Sequence, residues 1–256
     1  MQRKSAKDQP ALRGRVVVIT RPAGTASALA RSVRSRGGTP MLLPGLALRG
    51  MTHAGAVQAA LQLALGADLI IFSSPAAVRH AAALLPLRTA ATVLAVGQGT
   101  AAALRRQGIG EPLTPVRQDS EGLLGLVALQ DLRGRDVALI GAAGGRGVLR
   151  EQLVERGARL CEVHVYQRLP PRLDRRHAER LLQLPATARV LLSSAEALQN
   201  LCRLLPAAAL AHLCAATAVV SSERLSEAAR QAGFVRITLA ASALVDDLLR
   251  AAACAD

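Results

Sequence analysis

A chain of 256 residues, 51% hydrophobic and 20% charged, has the apolar content for one large core or two compact ones and is too hydrophobic for a disordered tail. Its formal charge of +14 with 1% aromatic residues and no tryptophan offers a field for polyanions without a stacking platform for single strands, which favours a small polycarboxylate over nucleic acid. Charges at Arg3, Lys4, Lys7, Asp8, Arg13 and Arg15 exclude a conventional signal peptide, and no apolar run has membrane-helix length, so the expected location is the cytoplasm.

In chain order, residues 1–13 fit no pattern and are expected to be disordered. The β-branched run Val16 to Thr20 predicts a strand, followed by a helix over Thr25–Arg36 that stops at Gly37. Met41 to Leu48 is extended and interrupted by Pro44. Leu69 to Phe72 predicts a second strand, bounded by Ser73-Ser74 and followed by a helix over Ala76–Leu85. Helices are predicted over Thr100–Gln107, stopping at Gly108, and over Gly147–Arg156, stopping at Gly157. Cys161 to Arg168 is extended again and runs into Pro170-Pro171. Continuous apolar runs, as opposed to alternating ones, mark strands buried on both faces, hence parallel sheet in a doubly wound α/β fold. The two proline-marked extended segments read as connections between domains, not interior strands.

The chain also resembles itself at a spacing of about 120 residues, the signature of a duplicated unit. Gly14-Arg15-Val16-Val17-Val18-Ile19 aligns with Gly134-Arg135-Asp136-Val137-Ala138-Leu139, Arg36-Gly37 with Arg156-Gly157, and Ser73-Ser74 with Ser193-Ser194. Further on the register slips, and Val96-Gly97 mirrors Val220-Ser221.

Much chemistry is excluded. The four cysteines form no CxxC pair and sit among apolar neighbours, so they are expected as small buried thiols, not disulfides. The five histidines show neither HxH nor HExxH spacing, so no metal site is expected. The run Gly141 to Gly147 has no Lys-Ser/Thr ending and is not a phosphate-binding P-loop. No Ser/His/Asp set and no close carboxylate pair is visible. The candidates that remain are turns. Ser73-Ser74, Gly97-Gln98-Gly99, Gly144-Gly145 and Ser193-Ser194 each open a helix, where free backbone N–H groups make anion sites. Thr100 and Ser222 stand at similar positions. Ordinary caps and turns are the plainer reading of all of them. Arg21 and Arg146 lie at turns from which a guanidinium could meet a carboxylate; as surface arginines they would be unremarkable, and compositional bias accounts for much of the charge. Tyr166 is the sole tyrosine and, on a strand, would ordinarily pack.

Taken in order, Thr20-Arg21-Pro22, Ile71-Phe72-Ser73-Ser74-Pro75-Ala76-Ala77-Val78, Ala95-Val96-Gly97-Gln98-Gly99-Thr100-Ala101, Asp119-Ser120-Glu121-Gly122-Leu123, Gly144-Gly145-Arg146-Gly147, Val163-His164-Val165-Tyr166-Gln167-Arg168 and Val220-Ser221-Ser222-Glu223-Arg224 resemble the uroporphyrinogen-III synthase family from about residue 14 to residue 250. The resemblance implies two doubly wound parallel-sheet, flavodoxin-like domains joined by a two-stranded antiparallel β-ladder, with the active site in the cleft between them. Domain 1 is then residues 1–44 plus 169–256, domain 2 is 51–161, and 42–50 and 161–170 are the linker strands. It implies that hydroxymethylbilane, a linear tetrapyrrole polycarboxylate, is dehydrated and cyclised with inversion of ring D to uroporphyrinogen III. No cofactor is needed, and the absence of a hydrolytic triad is then expected. Substrate would meet Arg21, Ser73, Ser74, Gly97, Thr100, Gly144, Arg146, Ser193, Ser194 and Ser222. Tyr166, which matches the family's tyrosine, would hydrogen-bond the departing hydroxyl. The expected partners are the substrate and, transiently, hydroxymethylbilane synthase, with no nucleic acid and no membrane, the chain acting as a monomer. Three alternatives stay open: a non-catalytic two-domain tetrapyrrole-binding sensor, a nucleic-acid-binding protein, and a piece of a longer tetrapyrrole methyltransferase fusion.

Overall fold

The computed structural model describes residues 12–144 and 147–254. In chain order these form β1 (Val16–Ile19), α1 (Ser27–Ser35), β2 (Thr39–Leu42), β3 (Ala47–Gly50), α2 (Ala54–Ala64), β4 (Leu69–Phe72), α3 (Pro75–Leu84), β5 (Thr92–Ala95), α4 (Gln98–Arg105), α5 (Ser120–Leu124), β6 (Asp136–Ala142), α6 (Val148–Glu155), β7 (Arg159–Leu169), α7 (Arg175–Leu182), β8 (Arg189–Leu191), α8 (Ala195–Leu204), α9 (Ala207–Ala215), β9 (Thr217–Val220), α10 (Glu223–Gln231), β10 (Ile237–Leu239) and α11 (Val245–Cys254). The chain divides into two units. One runs to Ala47 and resumes at Leu169; the other is Leu48–Arg168.

Each unit holds a five-stranded sheet, ordered β10-β9-β8-β1-β2 in the first and β3-β7-β6-β4-β5 in the second. In the first, every neighbouring pair is parallel; in the second, so are β4 with β5, β4 with β6 and β6 with β7. Burial follows the strand period of two on both faces. In the first sheet Val18, Val190, Ala218 and Val220 pack on one side, while Val17, Ile19, Leu191 and Val219 pack on the other. In the second, Ile70, Phe72, Ala138 and Ile140 face one core, and Leu69, Ile71, Leu94 and Val137 the other. Helices therefore cover both faces of each sheet, the doubly wound arrangement expected from the continuous apolar runs. The most deeply buried charge among the described residues has its partners: the Arg189 guanidinium, 2% exposed, donates to the carbonyls of Thr187 and Ala252 and to Thr217 Oγ1.

The internal repeat reappears as identical pairing. Val16↔Thr39 in β1–β2 has its counterpart in Asp136↔Arg159 of β6–β7, and Val17↔Arg189 of β1–β8 in Val137↔Leu69 of β6–β4. The left-handed glycines Gly14, Gly24 and Gly37 (φ 70°, 76° and 81°) match Gly134, Gly144 and Gly157 (φ 70°, 69° and 88°). The copies are nonetheless interleaved. The first sheet takes β1 and β2 from one copy and β8 and β9 from the other, and the second takes β4 and β5 from the first copy and β6 and β7 from the second.

The structure departs from several expectations. Residues 161–169 are not a bare connection: they belong to β7, an interior strand of the second sheet between β3 and β6. Pro170 and Pro171 lie just past its end, so they cost the ladder no donor. The 42–50 segment is no single linker strand either. Leu42 closes β2, Pro44 falls in the break, and β3 starts at Ala47 and hydrogen-bonds to β7. The disorder expected over residues 1–13 falls mostly on residues 1–11, outside the described residues; Leu12 is fully buried, and its N–H donates to Arg36 O at 2.8 Å. Of the four free cysteines only Cys214 is buried; Cys161 and Cys254 are exposed. None of the described helices is long and apolar enough to cross a membrane.

Candidate functional site

Parallel α/β sheets place their ligands beyond the carboxyl ends of the strands, and the second unit has a cavity of about 580 Å³ there, a volume usual for small-molecule sites. Ser73 and Ser74 of the β4–α3 turn, Gly141, Ala142 and Gly144 at the end of β6, and Arg150 of α6 line it. So do Glu162, His164, Tyr166 and Arg168, alternate residues of β7. Glycine at 141 leaves room for Ser73: a Cβ there would lie 2.5 Å from Ser73 Oγ and displace it.

Tyr166 is fixed by several features. The β6–β7 register slips between Gly141 and Ala142, which pair with His164 and Tyr166; such a bulge re-aims side chains. The ring is 6% exposed. Its hydroxyl lies 3.1 Å from Ser74 Oγ, and its face stacks on the His80 imidazole with centroids 5.2 Å apart and planes 16° apart. Ser74 is itself held, because as the N-cap of α3 its Oγ accepts the Ala77 N–H at 3.1 Å. Both partners of the phenol thus come from one helix.

The cavity wall is cationic overall. Arg150 lies 3.9 Å and His164 3.8 Å from Glu162, its one lining carboxylate among the described residues. The Arg168 guanidinium donates to Gly144 O. Burial, and then the charge of Arg79, push the His80 imidazole below its ordinary pKa and favour the neutral ring. Among the described residues the wall has no nucleophile hydrogen-bonded to a base; what it offers is a positioned phenol, guanidinium groups and turn amides, suited to polarising and holding an anionic ligand.

A family model described as uroporphyrinogen-III synthase HemD matches residues 27–250. The chain belongs to the uroporphyrinogen-III synthase family. It is 30% identical over 242 residues to the uroporphyrinogen-III synthase of Salmonella typhimurium, covering 92% of this chain and 98% of that protein. It is 35% identical over 159 residues to that of Escherichia coli, covering 61% and 65%. In fold it resembles the crystal structures of a mutant uroporphyrinogen III synthase from Thermus thermophilus (TM-score 0.58, 21% identity, 93% of this chain and 96% of that one) and of uroporphyrinogen-III synthetase from Helicobacter pylori (TM-score 0.61, 13% identity, 92% and 96%).

Of the residues that resemblance to the family had singled out, Ser73, Ser74, Gly144 and Tyr166 meet at this one cavity. Gly97 and Thr100 share the unit without lining it. The Gln98 N–H beyond Gly97 donates to Gln118 Oε1 at 3.0 Å, and Thr100 is 4% exposed. Arg21, Ser193, Ser194 and Ser222 lie in the other unit. There Ser194 and Ser222 cap α8 and α10, and the Ser193 hydroxyl donates to Thr20 O at 3.0 Å. Arg21 is half-buried, which lowers its pKa, and no hydrogen bond or ion pair ties it to the described residues. Arg146 lies outside the described residues. His80, Arg150 and Glu162 were not singled out in the sequence, and His164 and Arg168 stood there only as members of the motif around Tyr166. Four residues of the cavity were nevertheless legible as Glu-x-His-x-Tyr-x-Arg, a polar period-two stripe interleaved with Val163, Val165 and Gln167.

Proposed function

We infer that this chain catalyses the uroporphyrinogen-III synthase reaction, the dehydration and cyclisation of hydroxymethylbilane with inversion of ring D, and acts as a lyase. The observation that carries the mechanism is the Tyr166 phenol on the cavity wall, 3.1 Å from the capped Ser74 hydroxyl. A serine hydroxyl has one proton and two lone pairs. Ser74 spends one lone pair on the Ala77 N–H. If it gives its proton to the phenol oxygen, the phenol keeps its own proton for the cavity. Tyr166 then gives its proton to the departing hydroxyl as the C–O bond breaks, water leaves, and an electrophilic azafulvenium cation remains with the phenolate. The substituted carbon of the last ring attacks, the spiro intermediate opens and recloses inverted, and the proton lost as the aromatic pyrrole is restored returns to the Tyr166 phenolate. No electron enters or leaves in this sequence.

Most of the rate comes from holding a flexible chain in one curled geometry. Arg150 and Arg168 on the wall, with turn amides, are suited to the substrate's carboxylates. Arg21, half-buried and without a hydrogen bond or ion pair among the described residues, is suited to a carboxylate as well. We further propose that the enzyme works in the cytoplasm, where its cysteines stay reduced, that it is a monomer, and that it receives its labile substrate by transient contact with hydroxymethylbilane synthase.

The test is isomer-resolved. Purified protein given hydroxymethylbilane should yield the type III isomer; type I alone, the product of unaided closure, would mean a binding protein without turnover. Tyr166→Phe should lower turnover about a hundredfold while leaving the fold intact. Near-normal turnover would remove Tyr166 from the mechanism.

A further inference from the structure

A phenol bonded at its oxygen alone can still swing about that bond. A hydrogen bond constrains the position of the Tyr166 oxygen but not the plane of the ring, and that plane decides where the hydroxyl hydrogen and its free lone pair point. Core packing buries the ring, and among the described residues one aromatic plane lies against its face: His80, stacked on Tyr166 at 5.2 Å and 16°. That separation and near-parallel tilt are those of an offset-stacked pair. His80 does not appear among the described residues that line the cavity, so it reaches the chemistry only through the tyrosine. It sits on α3, the helix capped by Ser74. Gly50 of β3 also approaches the imidazole, since a Cβ there would lie 3.9 Å from His80 Nδ1. One rigid helix thus grips the phenol at two points, oxygen and ring face.

We propose that His80 is a positioning residue for Tyr166, its imidazole plane fixing the orientation in which the phenol serves both Ser74 and the cavity. The proposal rests on the catalytic role inferred for Tyr166 above. What the site requires of residue 80 is a flat aromatic face, not a proton.

The chain makes this directly measurable, since Tyr166 is its only tyrosine and it has no tryptophan; the near-ultraviolet circular dichroism and emission of the whole protein report chiefly on that ring. In the full-length protein His80→Ala should lose the tyrosyl dichroism and expose the emission to a soluble quencher. Its kcat should fall about tenfold, as misorientation of a catalytic group does, with KM changed by less than about twofold. His80→Phe, which restores a plane without a titrating nitrogen, should recover the spectrum and bring kcat to within about threefold of the parent. In a Tyr166→Phe background, His80→Ala should cause no further loss of turnover. His80→Gln, non-aromatic but polar and suited to a helix, replaces His80→Ala if the alanine variant does not fold. An unchanged tyrosine spectrum and unchanged kcat in the non-aromatic variants would overturn the proposal, as would a folded His80→Phe that stays slow. Failure of the underlying reading looks different: Tyr166→Phe would then turn over like the parent, whereas failure of the positioning role leaves Tyr166→Phe slow and His80→Ala fast.

Discussion

Ser74 and Ser194 occupy equivalent places in the internal repeat and do the same structural work. Each is extended (φ −165°, ψ 161° and φ −169°, ψ 160°), and each Oγ accepts a backbone N–H three residues on at 3.1 Å. Replacing either with alanine should cost about 1 kcal/mol of stability, the usual worth of an N-cap, so their urea midpoints should fall together. Turnover should separate them. Ser74→Ala also removes the partner of the Tyr166 hydroxyl, so its activity loss should exceed that of Ser194→Ala at matched stability; equal losses in an isomer-resolved assay would show that the Ser74–Tyr166 bond is incidental. Both serines were legible as residues before a helix. What could not be read was which of them has a phenol above it, because that depends on β7 meeting α3 across the sheet. His80 was hidden for the same reason: in sequence it is one polar residue in an alanine-rich helix, and only the packing of α3 lays it on Tyr166.

At the level of elements, helix ends were easy and strand roles hard. Gly37, Gly108 and Gly157 have positive φ (81°, 87° and 88°), a conformation in which other residues are strained, so glycine there announces a stop. The strand β7 misled because it mixes signals. Its buried Val163 and Val165 look like core, while exposed Arg159, Glu162 and Arg168 and the following prolines look like an edge. The helix after it has a start that pH can test. Asp174 caps α7, accepting the His177 N–H at 3.1 Å, and the same carboxylate oxygen lies 2.7 Å from His177 Nδ1, which donates to it when it carries the proton. The side-chain bond to His177, then the backbone one, hold the Asp174 carboxyl below its usual range. A carboxyl depressed on folding stabilises above its unfolded pKa, near 3.9, and loses that contribution as pH falls through the folded value. Asp174→Asn, which keeps an acceptor but does not titrate, should therefore unfold at a lower temperature than the parent at neutral pH. The gap between the two should close as the medium is acidified below about pH 4. A gap independent of pH would mean that the cap works without its charge.

The duplication was visible in the sequence, but only the resemblance to the family implied a discontinuous first domain, and the repeat alone suggests two halves that fold separately. Strand pairing says otherwise. A chain cut between the copies, near residue 130, would keep β1 with β2 and β4 with β5 but lose β8 from the first sheet and β6 and β7 from the second. Each remnant would be two-stranded with its core faces open, and an isolated strand pair is marginal in water. The stretch Leu48–Arg168 cuts across both copies yet contains β4, β5 and β6 and all but the end residues of β3 and β7, together with both hydrophobic clusters that cover that sheet. It is also of ordinary domain length. Expressed alone, residues 48–168 should unfold cooperatively in urea with a single sigmoidal transition. Residues 1–130, although longer, should show no cooperative transition and little protection from protease. The sole tyrosine falls within the 48–168 fragment, so its emission can follow the same titration as far-ultraviolet circular dichroism. Coincident curves would mean that the cavity wall forms with the sheet. Cooperative unfolding of the 1–130 fragment would instead make each copy a folding unit, and interleaving would then be a late rearrangement and not the condition for either core to exist.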